Sequence, residues 1–111
     1  MACKLGYRER IARAHMSQVI YAPSAIRDLQ RLREFLRSKN PVAAKRVTET
    51  IIKAIQVLGL QPQIGRPVED MPEDYREWPI DFGDSGYVAL YRYNMESVVI
   101  VAIRHQKEVS Y

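Results

Sequence analysis

At 111 residues the chain has room for one core, but not for a cofactor domain beside a substrate domain. No run approaches the ~20 apolar residues of a membrane span, no apolar stretch follows Met1-Ala2-Cys3-Lys4 to make a secretory signal, and a single cysteine excludes an internal disulfide or a cysteine metal cage. The net charge of +4 is unevenly placed: residues 24–53 hold eight basic and three acidic side chains, residues 66–86 two basic and seven acidic. A body with a pole of each sign suits a charged partner better than indiscriminate phosphate binding, and a cytoplasmic location is expected by default.

Residues 1–15 carry Lys4, Arg8, Arg10 and Arg13 against Glu9 but no apolar periodicity. They read as a dispensable leader, from an upstream start or a cloning junction, ahead of one domain over 16–111. An extended run from Gln18 to Tyr21 is closed by Pro23, which pushes Ala22 out of the helical region. Ser24 is placed to cap a helix whose Ile26, Leu29, Leu32 and Leu36 recur at helical spacing to about Ser38. Asn40-Pro41 opens a second helix with an N-cap and a first-turn proline. Its stripe is Val47, Ile51, Ile55 and Leu58, with Gly59 as the expected C-cap and Pro62 as a stop. The short connection predicts an antiparallel helical hairpin.

Beyond Pro62 an acidic, irregular connection runs through Gly65-Arg66-Pro67 and Met71-Pro72. Three strands are predicted after it: Arg76 to Asp81, Tyr87 to Tyr93, and Val98 to His105. Turns at 83–86 and 94–97 join them. Val98 to Ile103 is apolar without alternation, as in a central strand covered on both faces. The expected fold class is α+β: an N-terminal strand, a helical hairpin, then a three-stranded antiparallel sheet.

Four segments in this order resemble the RelE/ParE toxin superfamily of type II toxin–antitoxin systems. Val19-Ile20-Tyr21-Ala22-Pro23-Ser24-Ala25-Ile26-Arg27-Asp28-Leu29 resembles its opening strand and Pro-x-Ala-x-x-Asp-Leu helix start. Leu58 to Pro67 resembles its Leu-x-x-x-Pro-x-x-Gly-Arg-Pro connector. Tyr87-Val88-Ala89-Leu90-Tyr91-Arg92-Tyr93 resembles its tyrosine-rich strand, with the arginine displaced, and Ile103 to Tyr111 its ending. The resemblance implies a helical hairpin on a curved, mainly antiparallel sheet. It also implies a growth-arresting toxin held inactive by an antitoxin, and one of two activities: ribosome-dependent messenger RNA cleavage, or poisoning of DNA gyrase without cleavage.

The two activities need different residues. Cleavage by 2′-hydroxyl attack needs a base, an acid, and cations around the phosphorane. Arginine suits the charge and histidine the proton transfer, so Arg66, Arg92 and His105 are the catalytic candidates if the chain is an RNase. Each arginine also has a plainer reading as an exposed partner of the acidic connector, and Tyr87, Tyr91 and Tyr93 read as sheet and core residues. Gln106 stands where the RNA-cutting members tend to carry arginine, and the dense lysine–arginine set of those members is missing. The expectation is therefore a gyrase poison with contact anchors at Arg104, Lys107 and Tyr111. The alternatives are the endoribonuclease and, behind it, a non-toxic binding module. An acidic, helical antitoxin segment is expected on Arg27, Arg31, Lys45 and Arg46. No cofactor or metal is expected.

Overall fold

Two prolines set where the helices begin. Pro23 and Pro41 each start a helix, where a missing N–H costs nothing and φ is already helical. In the computed structural model, which describes residues 17–83 and 85–108, helix α1 spans Pro23–Arg37 and helix α2 spans Pro41–Leu60. The Asn40 side chain caps α2, accepting from the Ala43 N–H at 3.2 Å. Ser24 does not cap α1. Its hydroxyl donates to the Val101 carbonyl at 2.5 Å instead, and Ala22 holds the cap position with no side-chain bond. Gly59 is not a C-cap either: α2 runs one residue further and Gln61 caps it. A Cβ at Gly59 would stand 3.0 Å from the Ser17 carbonyl, so this glycine serves the close approach of the first strand.

Five strands make one sheet: β1 Gln18–Tyr21, β2 Arg66–Pro67, β3 Tyr75–Phe82, β4 Ser85–Tyr93 and β5 Ser97–His105, ordered β1-β5-β4-β3-β2. The sheet is wider than the three-stranded unit expected. β1 joins it parallel to β5, with Val19 opposite Val98 and Tyr21 opposite Ile100. Arg66–Pro67, read as irregular, pairs antiparallel with Glu77 and Arg76. The remaining pairs are antiparallel, and a 3₁₀ turn, Gln106–Glu108, follows β5.

Alternation sorts the strand side chains onto two faces. Tyr87 lies opposite His105, Ala89 opposite Ile103 and Tyr91 opposite Ile100, and this face packs on Leu32, Val47, Ile51, Ile55 and Leu58 of the hairpin. The Trp78 indole ties β3 to α2, donating to the Ala54 carbonyl at 3.0 Å. A bulge leaves Val101 without a partner between the Leu90–Ala102 and Tyr91–Ile100 pairs. It shifts the side-chain parity, so Ile100 and Ile103, three apart, both face the core. β5 is interior to the sheet and has buried residues on both faces: Val98, Ile100 and Ile103 toward the hairpin, and Ala102 opposite the buried Leu90 on the other, where Val99 is half-buried. No helix among the described residues is long and apolar enough to cross a membrane.

Candidate functional site

Where β1 ends, α1 takes over the open edge of β5. The Ala22 N–H donates to the Ile100 carbonyl at 2.9 Å, and Ser24 takes the Val101 carbonyl. One turn on, Asp28 accepts the Ile103 N–H at 2.9 Å and the Arg104 guanidinium at 2.7 Å. An edge strand left open is a template for unwanted pairing, and a buried amide must find an acceptor. The Pro-x-x-x-x-Asp spacing supplies one: five residues after Pro23, Asp28 returns to the buried stripe beside β5. The side chains of Arg104 and Asp28 are 33% and 13% exposed, so Arg104, expected as a target anchor, is held in this seam.

At the other edge of the sheet the connector is clamped. The Tyr91 ring is fully buried; its hydroxyl donates to the Pro62 carbonyl at 2.6 Å and accepts from the Gly65 N–H at 2.9 Å. Burial raises the pKa of this hydroxyl, against the bond from Gly65 and the nearby positive charge of Arg76. Arg76 Nη1 donates to the Gly65 carbonyl at 2.8 Å. Its Nε is buried with no hydrogen-bond partner, and its guanidinium lies 5.9 Å from the Tyr93 ring centre. A Cβ at Gly65 would sit 2.5 Å from the Tyr91 oxygen and 2.8 Å from the Glu77 carbonyl. Only glycine fits, and Arg66 leaves the clamp in a set direction. Its Nε donates to Glu77 Oε1 at 2.5 Å.

The structure brings some of the candidates together and separates others. Arg66 lies opposite Glu77, which lies opposite Leu90; alternation puts Arg92 on that same face, away from the hairpin. Arg92 is 3.6 Å from Asp74, both side chains about half exposed. His105 is on the other face, edge-on to Tyr87 at 5.2 Å between ring centres. Its Nδ1 accepts the Lys107 N–H at 3.1 Å. Tyr87, its strand partner, precedes Arg92 by five positions on β4, which places His105 roughly 17 Å from Arg92 along the strands. Lys107 is exposed, as are Arg27, Arg31, Lys45 and Arg46 on the hairpin. Tyr111 and the leader at 1–15 lie outside the described residues. Among those described, no three His, Cys, Asp or Glu side chains are placed to hold a metal ion.

The polar roles of three residues that organise this region are missing from the sequence reading, which gives Tyr91 only as a sheet and core residue. Asp28 had a signal, a carboxylate falling within an apolar helical stripe. Tyr91 had half of one: Gly65 announces a close approach but not by what. Arg76 had none, because its role depends on the pairing of β2 with β3.

Comparison with known proteins places these motifs. The model of the family described as the ParE toxin of the type II toxin–antitoxin system parDE matches residues 19–110. Toxin RelE3 of Caulobacter vibrioides is 37% identical over 93 residues, covering 84% of this chain and 98% of the relative. Two solved structures share the fold. A chromosomal ParDE system from P. aeruginosa has a TM-score of 0.67 at 17% identity, covering 82% of this chain and 97% of the other. The toxin–antitoxin complex RelBE2 from Mycobacterium tuberculosis has a TM-score of 0.57 at 23% identity, covering 82% and 99%.

Proposed function

The chain belongs to the ParE toxin family of type II toxin–antitoxin systems, and from that premise we propose that it arrests growth by binding DNA gyrase through a contact surface rather than by cutting RNA. One observation carries this reading: the groups an RNase would need are apart. Proton transfer needs a donor or acceptor within about 3 Å of its target, and His105 is on the opposite face from Arg66 and Arg92. Each arginine faces a carboxylate of the acidic stretch, Arg66 that of Glu77 and Arg92 that of Asp74.

Under this reading Arg104, Lys107 and Tyr111 form the contact; substitutions at Lys107 and Tyr111 weaken toxicity in graded steps, as at other protein interfaces, whereas a change at Arg104 also unpairs Asp28 in the seam. The partner that silences it is an antitoxin, in line with the toxin–antitoxin systems among its structural neighbours. The hairpin that carries the exposed Arg27, Arg31, Lys45 and Arg46 also exposes the apolar side chains Ile26, Phe35 and Val42, a composition that fits an acidic amphipathic helix.

The second reading, a ribosome-dependent endoribonuclease, is favoured by the name of the Caulobacter relative, Toxin RelE3. Induction of the chain and of its His105→Ala variant without antitoxin separates the two. A gyrase poison gives double-strand breaks and filamentation, and His105→Ala keeps them. Loss of ribosome-dependent messenger cleavage in a folded His105→Ala protein, by about 10²–10⁴-fold, establishes the enzyme instead.

A further inference from the structure

We infer that Arg66 is a pre-oriented anchor for a carboxylate on the toxin's protein target, with Glu77 and Tyr91 as the positioning residues that aim it. The inference rests on the contact-surface reading above and names one more contact within it.

The guanidinium is held at one corner only. Glu77 takes Nε, and among the described residues nothing engages the two terminal nitrogens. Those nitrogens form the edge that meets a carboxylate or a phosphate with two parallel bonds. The usual cost of such a contact is the freezing of a long side chain. Here it is already met: the Glu77 side chain is 16% exposed while that of Arg66 is 59% exposed, so the carboxylate is fixed in the structure and the cation stands out from it. The backbone under Arg66 is fixed as well, because Gly65 is held on its N–H by Tyr91 and on its carbonyl by Arg76. Arg92 makes a contrast on the same face, 3.6 Å from a carboxylate that is itself half exposed, a weak and mobile pairing.

The surroundings choose between the two anions. Residues 66–86 include Glu69, Asp70, Glu73, Asp74, Glu77 and Asp81. A nucleic-acid backbone would bring a row of phosphates against them, and such binding depends on several basic contacts at once. A single protein carboxylate brings one charge and finds one oriented fork.

The test is binding of the full chain to purified DNA gyrase, with the same variants scored for growth arrest in cells. Arg66→Ala should weaken binding about tenfold, and Arg66→Lys should not restore it, because an ammonium cannot keep Glu77 and offer a fork. Glu77→Gln, a change near the surface, should weaken binding several-fold with the melting temperature and antitoxin affinity unchanged. In the Arg66→Ala background, Glu77→Gln and Tyr91→Phe should each add nothing to the loss, although Tyr91→Phe keeps its cost in melting temperature. Wild-type binding by Arg66→Ala, or additive losses in the double variants, overturns the inference and leaves the gyrase reading intact. If the wild-type chain does not bind gyrase but growth arrest shows the same non-additive pattern, the positioning stands and the gyrase reading falls. Loss of ribosome-dependent RNA cleavage in Arg66→Ala would make the anion a phosphate and overturn the carboxylate assignment.

Discussion

In the seam between α1 and β5, Asp28 faces two donors, the Ile103 N–H and the Arg104 guanidinium, and it lies against the core. In the connector, Glu77 meets one nitrogen of Arg66, and the rest of that guanidinium stands in solvent. Both are short arginine–carboxylate pairs, the first between helix α1 and strand β5 and the second between strands β2 and β3. In the seam the carboxylate answers a strand edge that has run out of partners, and the arginine satisfies its second oxygen. In the connector the carboxylate serves the arginine. What a pair does depends on which partner is fixed by the fold and which is left exposed.

The comparison is broken most severely at Asp28. Asp28→Ala strips the acceptor from a buried amide and from Arg104 together, and should destabilise the fold by about 3 kcal/mol. Asp28→Asn, which keeps an oxygen for the Ile103 N–H, should lose about half as much. Urea melts of the two variants measure this, and an Asp28→Ala midpoint equal to wild type would mean that the seam does not hold β5.

Gly65→Ala should cost about 2 kcal/mol, because the clash with the Glu77 carbonyl involves backbone and no rotamer relieves it. The expected signature is a melting temperature lower by several degrees, with binding to the hairpin's partner retained.

Tyr91→Phe comes next, at about 1–2 kcal/mol for a lost donor to Pro62 and a lost acceptor for Gly65. It has a pH signature. The folded-state pKa of Tyr91 is raised by burial, so its contribution is complete below the ordinary tyrosine value near 10. It is lost as pH rises through the folded value. Stability measured from about pH 9 upward should fall more steeply for wild type than for Tyr91→Phe. Some slope should remain, since burial raises Tyr21 as well.

Arg92→Ala is the smallest change, within about 0.5 kcal/mol. A larger loss would show that its pairing with Asp74 is not the loose surface contact its geometry indicates.

Much of this could be read in the chain. The periodicity of Val47, Ile51, Ile55 and Leu58, the Asn40-Pro41 start, and the runs after Arg76 locate both helices and the last three strands to within about two residues. The four family-like segments locate the chain among toxins. Roles assigned to single polar residues fared differently. Ser24 and Gly59 carried the marks of helix caps, and each answers a strand instead. Among the candidate site residues, Arg92 and His105 lie on the strands predicted for them, whereas Arg66, expected on an irregular connector, lies on a short strand; that His105 faces away from both arginines was not legible. The bulge at Val101 shifts the parity of β5 by one position, and nothing local in six consecutive apolar residues marks where.

Local preference and burial therefore explain what the sequence alone determined: where the elements start and stop, which stripes are apolar, and a basic hairpin set against an acidic connector. These depend on neighbours a few residues away, and they survive any arrangement of the elements. The tertiary structure decided everything that depends on register. It set β1 beside β5, and it made Asp28 rather than a sixth strand the partner of an open edge. It brought the Tyr91 hydroxyl, 26 residues away in the chain, onto the Gly65 backbone. The physical reason is that a hydrogen bond or ion pair is short-ranged and directional. Residues distant in the chain form one only after strand pairing has fixed which of them share a face, and a one-residue shift in that pairing changes every partner.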